Sequence, residues 1–251
     1  MPPTDSSGKA TPSTGPPVEA HHAEAPTTAE VAGDRQFGPH AAQILSTEHW
    51  SLLAARSLIW NEALNRATVF LTVLSASIIA LALLADATGF GPQTTTLALV
   101  LLPIVLLLGV ATYVRLVRIN TEEALLVLAM NRLRHAYLEI EPGLAPYFTT
   151  GHHDDEPGVM ATWMAETASS RSFLIHFLIT TPTIVATVVA ALASVIAVLV
   201  LQLAEDSTAA VVGGGVVTFL LVWAGLMALQ RQAMDPLRNT TPRFPTPSDM
   251  P

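Results

Sequence analysis

Four apolar stretches without a single Asp, Glu, Lys or Arg occupy residues 67–85, 94–114, 180–203 and 209–229 of this chain. A helix needs roughly 20 residues to cross a hydrocarbon core of about 30 Å, and each stretch meets that length. The fold class expected is therefore an all-α membrane protein with four transmembrane helices. The lipid bilayer is its first partner.

Basic residues in short connections set orientation, because they are retained on the cytoplasmic side. The connection at residues 86–93 carries no Lys or Arg, and that at 204–208 offers only Glu205 and Asp206. Arg56, Arg66, Arg115, Arg118, Arg132, Arg134, Arg171, Arg231, Arg238 and Arg243 all fall on the other side. Both termini and the middle segment are expected in the cytoplasm, with the helices paired as two hairpins whose tight turns face outward. Lys9 is the only lysine in an Ala- and Val-rich chain, a bias that suggests a high-GC bacterial genome and the plasma (inner) membrane.

The net charge of −8 accompanies no basic stripe interleaved with aromatics, which disfavours a nucleic-acid role. With no cysteine there are no disulfides, thiolate metal sites or cysteine nucleophiles. No phosphate loop, dinucleotide fingerprint or nucleophile elbow occurs, and no cofactor is implied.

Residues 1–38 are rich in Pro, Thr, Ser, Ala and Gly and bury too little apolar surface to offset ordering entropy, so they read as a disordered tail. Its His21 and His22 are isolated tail histidines. Residues 235–251, with five prolines, read the same way. Residues 39–234 form the membrane domain. No Gly or Pro interrupts residues 41–85, so one helix should run from cytoplasm through the first span. On it Leu45, Leu52, Leu53, Ile59, Trp60, Ala63, Leu64 and Ala67 share an arc, broken by His49 and Arg56. The second helix should continue to Ile140, where Pro142-Gly143 ends it, with a kink at Pro103. Residues 124–130 are apolar all round and should lie at the centre of a cytoplasmic bundle. A third helix should start near Pro157 and run through Arg171, with Ser172 to Ile179 at the membrane surface or in the bundle.

Few residues offer chemistry. Among Asp, Glu, Lys, Arg and His, His176 is the one candidate for an intramembrane charge carrier, and it belongs at the cytoplasmic boundary of its span. Ala186, Ala190 and Ser194 recur at four-residue steps and, with Gly213, Gly214 and Gly215, allow helices to pack closely. His152, His153, Asp154 and Asp155 combine imidazole and carboxylate, a set suited to zinc or a harder divalent ion. The same acids before Pro157 fit a helix cap in a solvated loop. Arg56 on an apolar face needs a carboxylate, and equal depth on the antiparallel second helix selects Glu122 or Glu123. With His49 it could instead form a docking spot for a partner.

The segments EHWSLLAARSLIWNEALNRATVFLTVLSASIIALALLA at residues 48–85, RLVRIN at 115–120 and MNRLRHAYLE at 130–139 resemble a family of uncharacterised four-span membrane proteins of high-GC bacteria. The likeness covers residues 40–230 and implies a bacterial membrane location without an activity. More loosely, two spans with long cytoplasmic helices are similar in architecture to SLATT-type effector domains, which implies pore formation. Three readings follow. The first is a non-enzymatic plasma-membrane protein that scaffolds or senses through its cytoplasmic bundle, with a cytoplasmic protein partner or a homo-oligomer. The second is an oligomeric pore lined by Thr72, Ser75, Thr183, Thr187, Ser194 and Thr218. The third is a membrane-bound metal-dependent enzyme.

Overall fold

The computed structural model describes residues 37–167, 180–204 and 207–247. The expectations for residues 1–36, His21 and His22 included, for Arg171 and His176 within 168–179, and for Glu205 and Asp206 lie outside the described residues. The described residues are mainly helical and contain no strand. Six helices are described: α1 (Ala41–Thr88), α2 (Pro92–Ile140), α3 (Glu156–Thr167), α4 (Thr181–Leu201), α5 (Thr208–Gln232) and α6 (Asp235–Arg238). Four of them, α1, α2, α4 and α5, are long and apolar enough to cross a membrane.

Local chemistry sets the helix ends. With no internal Gly or Pro, α1 runs 48 residues and stops at Gly89, whose φ of 76° lies in the left-handed region that glycine tolerates. Pro92 then opens α2 at a position where its missing N–H is not needed. The Thr94 hydroxyl donates to Gly89 O at 2.9 Å and closes the turn. Helix α2 continues unbroken through Pro103, and Pro142 ends it in a 3₁₀ turn, Pro142–Tyr147. Pro182 sits in the first turn of α4, and Ser207 caps α5 by accepting from Ala210 N.

Helix α2 is the hub. Its contacts with α1 run in opposite order along the two helices: Arg56 meets Glu123, Glu62 meets Arg115, and Thr88 meets Thr94. At the middle, Gly109 lets three helices converge. A Cβ there would lie 2.8 Å from the Phe70 ring of α1 and 2.9 Å from Val189 of α4. Tyr113, wholly buried, donates its hydroxyl to the Leu226 carbonyl of α5. Ala186 and Ala190 are buried. Ser194 donates to Gly215 O at 2.8 Å, and a Cβ on Gly215 would press on Val198 at 2.6 Å, while one on Gly214 would overlap Leu201. Small residues therefore join α4 to α5. Gly213 is the exception, since it faces open space.

The outer surface of these four helices is apolar. Leu83, Leu107 and Leu221 are all more than three-fifths exposed. Monomeric soluble proteins rarely show contiguous apolar patches beyond a few hundred Å². Hydroxyls on these helices turn inward to their own backbone: Thr72 donates to Thr68 O, Ser77 to Val73 O and Thr218 to Gly214 O. That arrangement suits a surrounding that offers no hydrogen bonds.

Beyond this apolar core lies a charged belt, and beyond the belt a second, smaller core. Ala124, Val127, Leu128 and Met130 of α2, Val159 of α3 and Leu237 of α6 build it, with Leu52, Trp163 and Met234 packed against them. The expectation of burial all round residues 124–130 needs one correction. Leu125 remains 39% exposed, because α3 and α6 cover only part of the α2 surface. The end of the chain also departs from expectation. Asp235 begins α6, and residues as far as Thr246 are hydrogen-bonded to the loop before α3.

Candidate functional site

The belt is an ion-pair network on α1 and α2. Glu123, largely buried, accepts from Arg56 Nη2 at 3.0 Å and from the Trp60 indole at 3.1 Å. Glu122 is instead taken by Arg115 at 2.8 Å, and the same guanidinium makes two bonds to Glu62. Hydrogen bonds from Arg115 and then Arg66 hold the Glu62 carboxyl down at about 2. Trp60, read from sequence as an apolar contact only, supplies a polar handle. His49 stacks with Tyr137 at 6.0 Å, and burial, reinforced by nearby Arg134, lowers its pKa.

At the far end of α2 the following loop folds back on the helix. Its anchor is Asn131, which is wholly buried. Its amide nitrogen donates to His153 O at 2.8 Å and Gly158 O at 3.1 Å. Its oxygen accepts from Arg134 at 2.7 Å and Thr162 at 3.1 Å. All four hydrogen-bonding positions of the amide are used. Two glycines permit the approach: a Cβ on Gly151 would sit 2.7 Å from Gly158 O, and one on Gly158 would overlap the His153 carbonyl.

This folding sets His152 and His153 beside His135, one turn beyond Asn131. Ligating nitrogens of the three lie within 4.8 Å of one another. The His152 and His153 rings are 4.3 Å apart, and they stand farther from His135, at 6.0 and 6.3 Å. His135 Nδ1 and both nitrogens of His153 are buried without a hydrogen-bond partner among the described residues. A buried polar group left unpaired costs about 1–3 kcal/mol. Burial first, then the adjacent His153 and His135, push the His152 pKa below its ordinary value. A lowered pKa favours the neutral imidazole, the form that ligates metal.

The carboxylates go elsewhere, and the expected His152–His153–Asp154–Asp155 ligand set does not assemble. Asp154, far from lying in a solvated loop, is buried and accepts from Arg132 at 2.6 Å, Arg243 N at 2.9 Å and Phe244 N at 2.6 Å. Burial alone would raise its pKa, but the hydrogen bonds outweigh burial and lower it. Asp155 accepts from Gly158 N at 2.9 Å, a helix cap, and from both the amide and hydroxyl of Thr246 at 2.7 Å. Glu156 pairs with Arg238 at 3.3 Å. The acids thus clamp a C-terminal strap, and the strap lays Phe244 flat on His135, with centroids 3.9 Å apart. His135 escaped the sequence reading because it stands 17 positions before His152, with no ligand spacing to mark it.

The polar span residues fall in separate places: Thr183 and Thr187 adjoin on α4, and Ser194 and Thr218 bond to the neighbouring carbonyls of Gly215 and Gly214. Thr183 meets Gln230, Thr187 accepts from Trp223 at 3.2 Å, and Thr72 and Ser75 lie on the exposed side of α1. Comparison of the chain with protein-family models, with curated proteins and with solved structures finds no match.

Proposed function

We propose that this is a multi-pass protein of the bacterial plasma membrane, non-enzymatic in its membrane part, that scaffolds or senses through a cytoplasmic helical bundle. In this reading α1 and α2 form one hairpin and α4 and α5 the other, both termini are cytoplasmic, and the second core is the bundle. The observation that carries it is the length of α1 and α2. At 48 and 49 residues they extend about 70 Å, more than twice a hydrocarbon core, without a break. One rigid pair would then serve as membrane anchor and as bundle, so a contact at the bundle is felt across the membrane. Trp50, Leu53, Trp60 and Leu64 stand exposed on α1 outside its apolar span, which supports a protein contact there, with a second copy or another chain.

The cysteine-free sequence makes the test direct. A single cysteine at Phe90, in the turn between α1 and α2, should react with a membrane-impermeant thiol reagent in intact cells. One at Glu141 should react only after lysis. The reverse pattern would overturn the orientation. In isolated membranes treated with copper phenanthroline and air as oxidant, Leu53→Cys should give a disulfide-linked dimer, or with a thiol-reactive bifunctional reagent a cross-linked partner. Steady ionic conductance from liposomes holding a defined oligomer would replace scaffolding with the pore reading.

A further inference from the structure

We infer that His135, His152 and His153 form a three-imidazole site for one transition-metal ion of the zinc class, with Phe244 of the C-terminal strap as its cover. The inference stands apart from the membrane orientation and from the scaffold reading.

Three observations converge. The ligating nitrogens are already within 4.8 Å of one another. Tetrahedral coordination with Zn–N bonds of 2.0–2.1 Å requires separations of about 3.3 Å, so ring movements of an ångström or so complete the site. Among the described residues, three of the six imidazole nitrogens are buried and have no hydrogen-bond partner, which is the condition of a donor set built for something other than a protein hydrogen bond. The backbone is fixed from outside the site, because Asn131 holds the His153 carbonyl and the carboxylates of Asp154 and Asp155 are committed to the strap.

Two nearby basic side chains are engaged away from the imidazole nitrogens. Arg132 is neutralised by Asp154, and Arg134 is engaged by Asn131 and Gly151. Glu139 lies 3.7 Å from His135 Nε2, placed to orient that ring once its Nδ1 is a ligand. Phe244 covers the face of His135, whereas a metal binds in the plane of the ring at its edge, so cover and ion are compatible. Imidazole ligands select zinc, copper, nickel or cobalt over magnesium and calcium, which prefer oxygen. Three protein ligands leave a fourth position open.

Binding also has a structural consequence. Coordination would tie the His152 and His153 rings to His135 and so restrain opening of the loop that carries Asp154 and Asp155, and with it the strap between Arg238 and Thr246.

The test uses tag-free full-length protein in detergent or nanodiscs, with His21→Ala and His22→Ala to silence the tail. Calorimetric titration with Zn²⁺ should show one saturable site, and Mg²⁺ and Ca²⁺ none. Co²⁺ should give the visible absorption of a four- or five-coordinate nitrogen site. His135→Ala and His152→Ala should each weaken Zn²⁺ binding by more than the roughly 10- to 100-fold that losing an outer-sphere partner costs. Phe244→Ala should weaken it by about tenfold. Zn²⁺ should slow tryptic cleavage after Arg243 in the parent and not in His135→Ala. Should the histidine variants misfold, the Co²⁺ spectrum and stoichiometry of the parent decide alone. Absence of a 1:1 site in the parent, or equal affinity in His135→Ala, overturns the inference.

Discussion

The two cores of this molecule are held together by different means. In the apolar core, α1, α2, α4 and α5 meet through shape: Gly109 admits Phe70 and Val189, and Gly215 admits Val198. Its hydroxyls mostly bond to carbonyls four residues earlier on the same helix. In the second core, few apolar residues are buried, and specificity comes from polar groups reaching across the chain. Asn131 ties α2 to the following loop, and Asp154 and Asp155 tie that loop to a strap roughly 90 residues later. Close packing tolerates conservative apolar exchange but not added volume. A buried polar network fails when a single partner is lost. The contrast predicts which substitutions disturb one core and spare the other.

The largest effect is expected from Asp154→Ala. It leaves two strap amides without an acceptor and Arg132 without its carboxylate. A loss of about 3 kcal/mol in the second core should follow, seen as rapid tryptic cleavage after Arg238 and Arg243 with the apolar core still intact. Equal loss in both cores would show that they unfold as one unit. Gly109→Val should act in the opposite sense, costing about 1–3 kcal/mol of apolar-core stability by forcing Phe70 and Val189 apart. Denaturant unfolding in detergent would detect it, and the strap should stay protected.

The belt between the cores should matter less. A double-mutant cycle on Arg56→Ala and Glu123→Gln should return a coupling of about 1 kcal/mol, since both side chains keep some contact with solvent. A coupling near zero would make the pair a bystander and leave Trp60 as the partner of Glu123. The smallest effect concerns pH. Glu62 has its pKa depressed from an ordinary 4.5 to about 2. Its contribution to stability is therefore present above pH 4.5 and is lost as pH falls towards about 2. Thermal midpoints measured across that window should fall more gently in Glu62→Gln than in the parent.

Some of this was legible from the residues alone because it depends on near neighbours. Hydropathy over some 20 residues marks a helix fit for a membrane, and Pro142 marks where α2 ends. Arg56 announced its need for a carboxylate by interrupting an apolar arc, and equal helical depth narrowed the choice to two residues. Sequence did not separate Glu123 from Glu122, which differ by a 100° turn of α2.

The run at residues 152–156 shows where tertiary structure took over. Its composition offered a metal set of two imidazoles and two carboxylates, or a solvated cap. The fold divides it: Asp155 caps α3, both aspartates hold the strap, and the histidines turn to His135. Sequence by itself determined the four apolar helices and most of their ends, because helix formation and hydropathy are local, periodic properties. Only the tertiary structure decided which side chains meet at the histidine cluster. Apart from the adjacent His152 and His153, those contacts join residues 17 to 109 positions apart, and no periodicity links groups that become neighbours only when the chain folds back on itself.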